Sequence, residues 1–259
     1  LTTIGNGNCV PVSDNVLITF TASPTAEAGM GTVLCGNNAS IQLTGSVTVA
    51  NGGAWSGAQG SFSPNANALN AVYAPSTGEL AAGSVTLTLT TTGNNGCNAV
   101  SDQVTYTFTP APTANAGADQ TLCSNSPIAT LNGGYTVATG GVWSGGAGTF
   151  FPSTINMNAT YTPTAAEIAN GNVTLTLTTT GNGLCNQVSD NIILNFTPAP
   201  VVNAGVDASF CANNAAIALN GSVTIASGGI WSGGLGSFTP NNTTLNATYT
   251  PTPAEIAAG

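Results

Sequence analysis

Trp55, Trp143 and Trp231 are separated by 88 residues, and most of the chain follows the same interval. Cys9, Cys97 and Cys185 repeat at it, as do Cys35, Cys123 and Cys211. Tyr73, Tyr161 and Tyr249 keep the spacing, and so do Phe20, Phe108 and Phe196, and Glu79, Glu167 and Glu255. A period without drift means tandem copies of one unit, so a single continuous core is excluded before any local reading. Such arrays supply length and repeated surface rather than one reaction centre.

One copy, read from Pro112 to Ala199, consists of short extended runs between Gly, Asn and Pro turns. Its clearest strand is Val173-Thr174-Leu175-Thr176-Leu177-Thr178, where apolar residues alternate with threonine as in a strand with one buried face. Gly140 to Gly145 predicts a short strand around Trp143, and Ile192 to Phe196 a last strand. Thr164-Ala165-Ala166-Glu167 has the spacing of a helix-capping box. Roughly seven strands in under a hundred residues predict a small immunoglobulin-like β-sandwich. The chain then divides into residues 1–23, the C-terminal strands of a preceding repeat, repeats at 24–111 and 112–199, and a repeat at 200–259 without its last two strands. Three full periods would need five more residues, which reads as a window on a longer repetitive protein. The joints, Thr109-Pro110-Ala111-Pro112 and Thr197-Pro198-Ala199-Pro200, are stiffened by proline.

Composition limits the chemistry. The chain has no Lys, Arg or His, and its nine charged side chains are all acidic. Salt bridges between side chains are therefore impossible, and nucleic acid and direct membrane contact are excluded as partners for want of basic residues. Ser and Thr have no basic side chain to activate them as nucleophiles, no phosphate-loop or zinc-ligand spacing occurs, and the expectation is a non-enzyme without cofactor or metal. The aspartates of the Ser-Asp pairs at Asp14, Asp102 and Asp190 stand singly, which suits turn capping better than calcium. Glu79, Glu167 and Glu255 read as helix caps rather than as half of a glycosidase pair. The three tryptophans read as core residues, with sugar-stacking platforms as the alternative.

The order of these elements resembles immunoglobulin-like and PKD-like domains. The residues that carry the resemblance are Ala114-Asn115-Ala116-Gly117-Ala118-Asp119-Gln120, Trp143, and the Val173 to Thr178 strand behind its helical turn. More narrowly, the whole chain is similar to the repeats of very large surface adhesins of Bacteroidota, including gliding-motility adhesins exported by the type IX system. That resemblance implies an extracellular, cell-surface repeat region acting as a rigid spacer, whose partners are neighbouring repeats of the same chain or filament. The alternatives are a carbohydrate-binding array on surface glycans, or the subunit of a polymer closed by donated strands.

Six regularly placed cysteines point to an oxidising compartment. Period-preserving pairs are separated by 26, 62 or 150 residues. In the inferred sandwich Cys123 and Cys185 lie at opposite ends, about 30 Å apart, whereas bonded Cα atoms lie within about 7 Å. The expectation is Cys35 with Cys185 between successive domains, leaving Cys9, Cys97, Cys123 and Cys211 to pair outside the window.

Overall fold

The computed structural model describes residues 1–258. The chain is nearly all β, built from tandem sandwich modules that follow the period. The first complete repeat contains β1 (Thr25–Glu27), β2 (Val33–Cys35), β3 (Ile41–Gln42), β4 (Ser46–Thr48), β5 (Gly52–Ser56), β6 (Ser61–Ser63) and β7 (Val72–Ala74). Helix α1 (Thr77–Ala82) leads into the two long strands β8 (Ser84–Thr92) and β9 (Ser101–Thr109). The second repeats it with β10 (Thr113–Asn115), β11 (Gln120–Cys123), β12 (Ala129–Thr130), β13 (Gly134–Thr136), β14 (Gly140–Ser144), β15 (Thr149–Phe151) and β16 (Thr160–Thr162). Helix α2 (Ala165–Asn170), β17 (Asn172–Thr180) and β18 (Ser189–Thr197) complete it. Gly134-Tyr135-Thr136 has no alternating run long enough to mark β13 in the sequence, which is why turn spacing undercounts the strands.

Each complete repeat has a four-stranded sheet, a three-stranded sheet and a two-stranded ribbon. In the first repeat the orders are β2-β9-β8-β5, β3-β7-β6 and β1-β4, and the second matches them strand for strand. The short strand β2 runs parallel to β9, and β11 parallel to β18, while the other pairs in these two sheets are antiparallel. On β17 the inward residues are Val173, Leu175, Leu177 and Thr179, and the threonines between them face out. Buried Trp143, Leu131, Tyr161, Ile192, Leu194 and Phe196 pack with them into one core. The first repeat's core places Trp55, Leu43, Tyr73, Val104, Tyr106 and Phe108 at equivalent positions. On the outer face hydroxyl pairs stand where other proteins place ion pairs. Thr86 and Thr105 meet at 2.8 Å, and Thr178 and Ser189 at 2.8 Å, across neighbouring strands.

The third repeat keeps β19 (Val201–Asn203), a 3-10 turn at Ala212–Asn214, β20 (Ile217–Ala218), β21 (Ser222–Thr224), β22 (Ser237–Thr239), β23 (Thr248–Thr250) and α3 (Pro253–Ala258). Its ribbon, β19-β21, and its small sheet, β20-β23-β22, are made as in the others. The counterparts of β11 and β14, at 208–211 and 228–232, belong to no strand. The strands that would pair with them, the counterparts of β17 and β18, fall beyond the sequence. Residues 1–23 likewise form no strand and are almost wholly exposed, with one isolated bridge between Thr2 and Ser13. Their counterparts 89–111 include the whole of β9 and the end of β8, which are held by β2 and β5 on either side.

The chain packs into two compact units. One comprises residues 1–113 with the turns 136–139 and 181–188, and the other 114–135, 140–180 and 189–259. Both Cys35 and Cys185 therefore fall in the first unit.

Candidate functional site

Cys35 ends β2, where the parallel pairing sets it opposite Thr109 at the end of β9. The backbone there is tied by Gly36 N–H donating to the Thr109 carbonyl at 2.9 Å, and by the Thr109 hydroxyl donating to the Leu34 carbonyl at 3.3 Å. Cys185 sits in the tight turn after β17, closed by its N–H donating to the Asn182 carbonyl at 3.0 Å. Cys35 and Cys185 form a disulfide with their Cα atoms 5.0 Å apart, across a sequence separation of 150. The Pro110 carbonyl oxygen lies 3.9 and 3.7 Å from the two sulfurs. Asn37 adds a two-point clamp. Its amide nitrogen donates to the Asn186 carbonyl at 3.0 Å, and its Oδ1 accepts from the Asn186 N–H at 3.1 Å. The second repeat's turn is thus fastened to the end of β2 by one covalent bond and two hydrogen bonds.

Cys9, Cys97, Cys123 and Cys211 are free thiols. Two of them sit in the surroundings of the bonded pair. Cys97 lies 3.6 Å from the Thr21 hydroxyl and 3.9 Å from the Ala22 carbonyl, as Cys185 lies beside Thr109 and Pro110. Cys123 lies 3.8 Å from the Pro198 carbonyl, as Cys35 lies beside Pro110. Cys123 ends β11 opposite Thr197, while Cys185 precedes Ser189, so the nine-residue β18 lies between them.

A second recurring constellation is a Tyr–Glu clasp. Thr164 caps α2 by accepting from Glu167 N–H, and the Glu167 carboxylate accepts in return from the Thr164 N–H at 2.7 Å and hydroxyl at 2.9 Å. The same carboxylate takes the Tyr161 hydroxyl at 2.7 Å and the Ala147 N–H at 2.7 Å. Tyr161 in turn accepts from Gly148 N–H at 2.8 Å. Gly171, at φ 83°, ends the helix in the left-handed conformation that a Cβ disfavours. Burial opposes ionisation of Glu167, but the donors from Thr164, Tyr161 and Ala147 outweigh it and hold the carboxyl down at about 2. Burial and the adjacent carboxylate push the Tyr161 phenol up to about 12. Glu79 with Tyr73 repeats the arrangement, its carboxyl also held below the usual range because hydrogen bonds overcome burial. A carboxylate saturated by four donors is a structural acceptor, not a proton donor for catalysis.

Asp102 and Asp190 serve distant backbone rather than their own turns. Asp102 accepts from Ala28 N–H at 2.7 Å and Asp190 from Ala116 N–H at 2.8 Å, each fixing the loop after the repeat's first strand. Only Asp14 caps locally, accepting from Asn15 N–H at 2.9 Å. Among the described residues no three His, Cys, Asp or Glu side chains cluster as metal ligands would. Trp55 and Trp143 are buried, so neither presents an indole face to a sugar. Trp231 is half-buried and lines a cleft of about 290 Å³ with Val202, Gly229, Ile230 and Leu245.

What sequence reasoning misses here is the Tyr–Glu partnership. Its signal is the co-recurrence of Tyr73, Tyr161 and Tyr249 six residues before Glu79, Glu167 and Glu255. The reach of Asp102 and Asp190 across 74 residues has no local signal.

No family model matches the chain, and no curated protein matches it. Among solved structures, Drosophila N-cadherin EC1-4 is 12% identical over 68% of this chain and 50% of that one, with a TM-score of 0.36. Protocadherin gamma B7 cadherin domains 1-4 are 10% identical over 89% of this chain and 68% of theirs, TM-score 0.38. The insect immune protein hemolin is 10% identical over 76% of this chain and 55% of its own, TM-score 0.38. The chain spans half the length of the N-cadherin fragment it matches. Among the described residues no helix is long and apolar enough to cross a membrane.

Proposed function

We propose that this chain is a repeat region of a long extracellular adhesin or surface filament, with modules at 24–111, 112–199 and 200–259 serving as rigid spacers. The observation that carries the reading is the bond between Cys35 and Cys185 beside the Pro110 joint. A pull along the chain passes from Cys35 straight to Cys185, so the residues between them bear no tension while the bond is intact. A nearly uncharged surface fits the same setting, since contacts made without ions do not weaken in salt. Attachment to the cell surface, gliding motility and type IX export follow from the family resemblance alone. Neighbouring repeats are the partners this reading names.

Stretching single molecules by their ends tests it. At about 3.3–3.6 Å per residue, a separation of 150 hides about 500 Å of extension. The oxidised chain is expected to stop short of the reduced one by about that length. Equal contour lengths with and without reductant would remove the spacer reading.

A further inference from the structure

Two tight turns meet at the bond between Cys35 and Cys185, and each is closed by its own stretch of sequence. Cys35 opens the turn 35–38, where Asn38 N–H donates to the Cys35 carbonyl at 2.9 Å. Cys185 ends the turn 182–185, closed on the Asn182 carbonyl at 3.0 Å. The counterparts one period away close in the same manner. Ser126 N–H donates to the Cys123 carbonyl at 2.9 Å, and Cys97 N–H to the Asn94 carbonyl at 3.0 Å. Gly183, at φ 60°, and its counterpart Asn95, at φ 53°, both take the left-handed conformation that glycine and asparagine tolerate. The shapes of both turns are therefore written in the local sequence and do not wait for a bond between sulfurs.

Asn37 stands third in the first turn, and Asn125 keeps that place in the counterpart. Its stem is fixed, because Cys35 belongs to β2 and Gly36 N–H is held by the Thr109 carbonyl at 2.9 Å. A side-chain amide on a fixed stem offers donors on one side and an acceptor on the other. Asn186, the residue after Cys185, has the complementary pair on its main chain, and the two groups exchange both hydrogen bonds, at 3.0 and 3.1 Å. Two opposed residues make the same exchange in an antiparallel ladder, and here the Asn37 side chain takes the place of one strand. The contact reads backbone, so the turn is accepted for its shape, whatever side chain residue 186 carries. A chain without Lys, Arg or His has no ion pair to steer such a meeting, and neutral hydrogen bonds do the work instead.

We propose that the end of β2 is a docking surface for a tight turn bearing a cysteine, that Asn37 positions this turn by gripping the main chain of Asn186, and that docking precedes the bond between Cys35 and Cys185. The clamp sets the two sulfurs side by side, which raises their effective concentration and favours closure. The bond forms by exchange with a small-molecule disulfide such as oxidised glutathione. Cys35 and Cys185 lose two protons and two electrons, and the reagent leaves as two thiols. By linkage, what docking contributes to closure the bond returns to docking. Docking is independent of whether the joint bears load, which the stretching experiment decides.

The full chain with Cys35→Ser and Cys185→Ser tests the order of events. Residue-resolved hydrogen exchange is expected to show Asn186 N–H still protected in it, and adding Asn37→Ala is expected to lower that protection at least about threefold. In the chain with its native cysteines, the bond is equilibrated with reduced and oxidised glutathione and read by thiol trapping and peptide mapping. Asn37→Ala, and Asn37→Asp, which keeps the shape but loses the donor, are each expected to lower the equilibrium constant by about three- to tenfold, a rise in potential of about 14–30 mV. Asn38→Ala, in the same turn but with a side chain outside the clamp, is expected to leave it unchanged. Asn37 belongs to neither core, so the circular dichroism spectrum is expected to stay the same throughout. Loss of Asn186 protection on replacing the two cysteines alone would make the clamp a by-product of the bond and overturn the proposal. So would protection or an equilibrium constant indifferent to Asn37→Ala, or an equal loss in Asn38→Ala.

Discussion

Trp143 and Trp231 hold the same place in the pattern, yet the first is 1% exposed and the second half-buried. Around both, the local structure is alike. The small sheets β12-β16-β15 and β20-β23-β22 form in the same order, and Glu255 clasps Tyr249 as Glu167 clasps Tyr161. What separates the two repeats is the four-stranded sheet. It needs β17 and β18, and without them residues 208–211 and 228–232 form no strand. The module therefore has a locally determined half, closed by contacts within one stretch of chain, and a half that depends on two long strands arriving from later in the sequence.

The sharpest way to break this comparison is at the tryptophans. Trp143→Ala is expected to destabilise the second repeat by about 3–5 kcal/mol, because it empties a fully packed site. Trp231→Ala should cost a small fraction of that. Hydrogen exchange of the peptides around each site, read by mass spectrometry, separates the two, and equal costs would mean that the third repeat is as well packed as the second.

Next in size is the clasp. Glu167→Gln removes a charged acceptor from a buried cluster and is expected to cost about 1–3 kcal/mol, while Glu255→Gln changes little. Acid should reproduce the effect. The folded Glu167 carboxyl at about 2 lies below its unfolded value of about 4.3, so its contribution is complete above pH ~4.3 and is lost as the pH falls toward 2. At the other extreme Tyr161, raised to about 12, favours the folded state below its unfolded value of about 10, and that contribution is lost as the pH climbs through 12. Unfolding followed against pH should show both arms in the parent chain, and the acid arm should shrink in Glu167→Gln.

The smallest effect tests where the repeats agree. Val49, Val137 and Ile225 all have positive φ, at 63°, 66° and 71°. Val137 is the middle of a three-residue turn closed by Ala138 N–H to the Thr136 carbonyl at 2.7 Å. A β-branched residue is strained there, so Val137→Gly is expected to stabilise by about 1 kcal/mol and to raise the melting temperature by a few degrees. A loss of stability would show that the valine side chain contributes more by packing than it costs in backbone strain.

Much of the fold is legible in the sequence because its signals are local or periodic. Alternation along Val173 to Thr178 marks β17, Thr164 and Glu167 three residues apart mark the start of α2, and Gly171 marks its end. The three-residue β13 escapes notice because nothing that short carries a period. The bond between Cys35 and Cys185 is a middle case. Periodicity reduces the pairings to three, and strand direction then separates the ends of the sandwich, but only the folded chain brings the two sulfurs together.

The sequence by itself determined that this is an array of one all-β unit without basic side chains, because spacing and residue type are properties of the chain alone. The tertiary structure decided which distant N–H each aspartate reaches, that Tyr161 completes the Glu167 cluster, and that one tryptophan is sealed while its counterpart is not. Those outcomes depend on strand pairs formed between residues far apart in sequence. Identical local patterns end differently when such a partner strand is present and when it is missing.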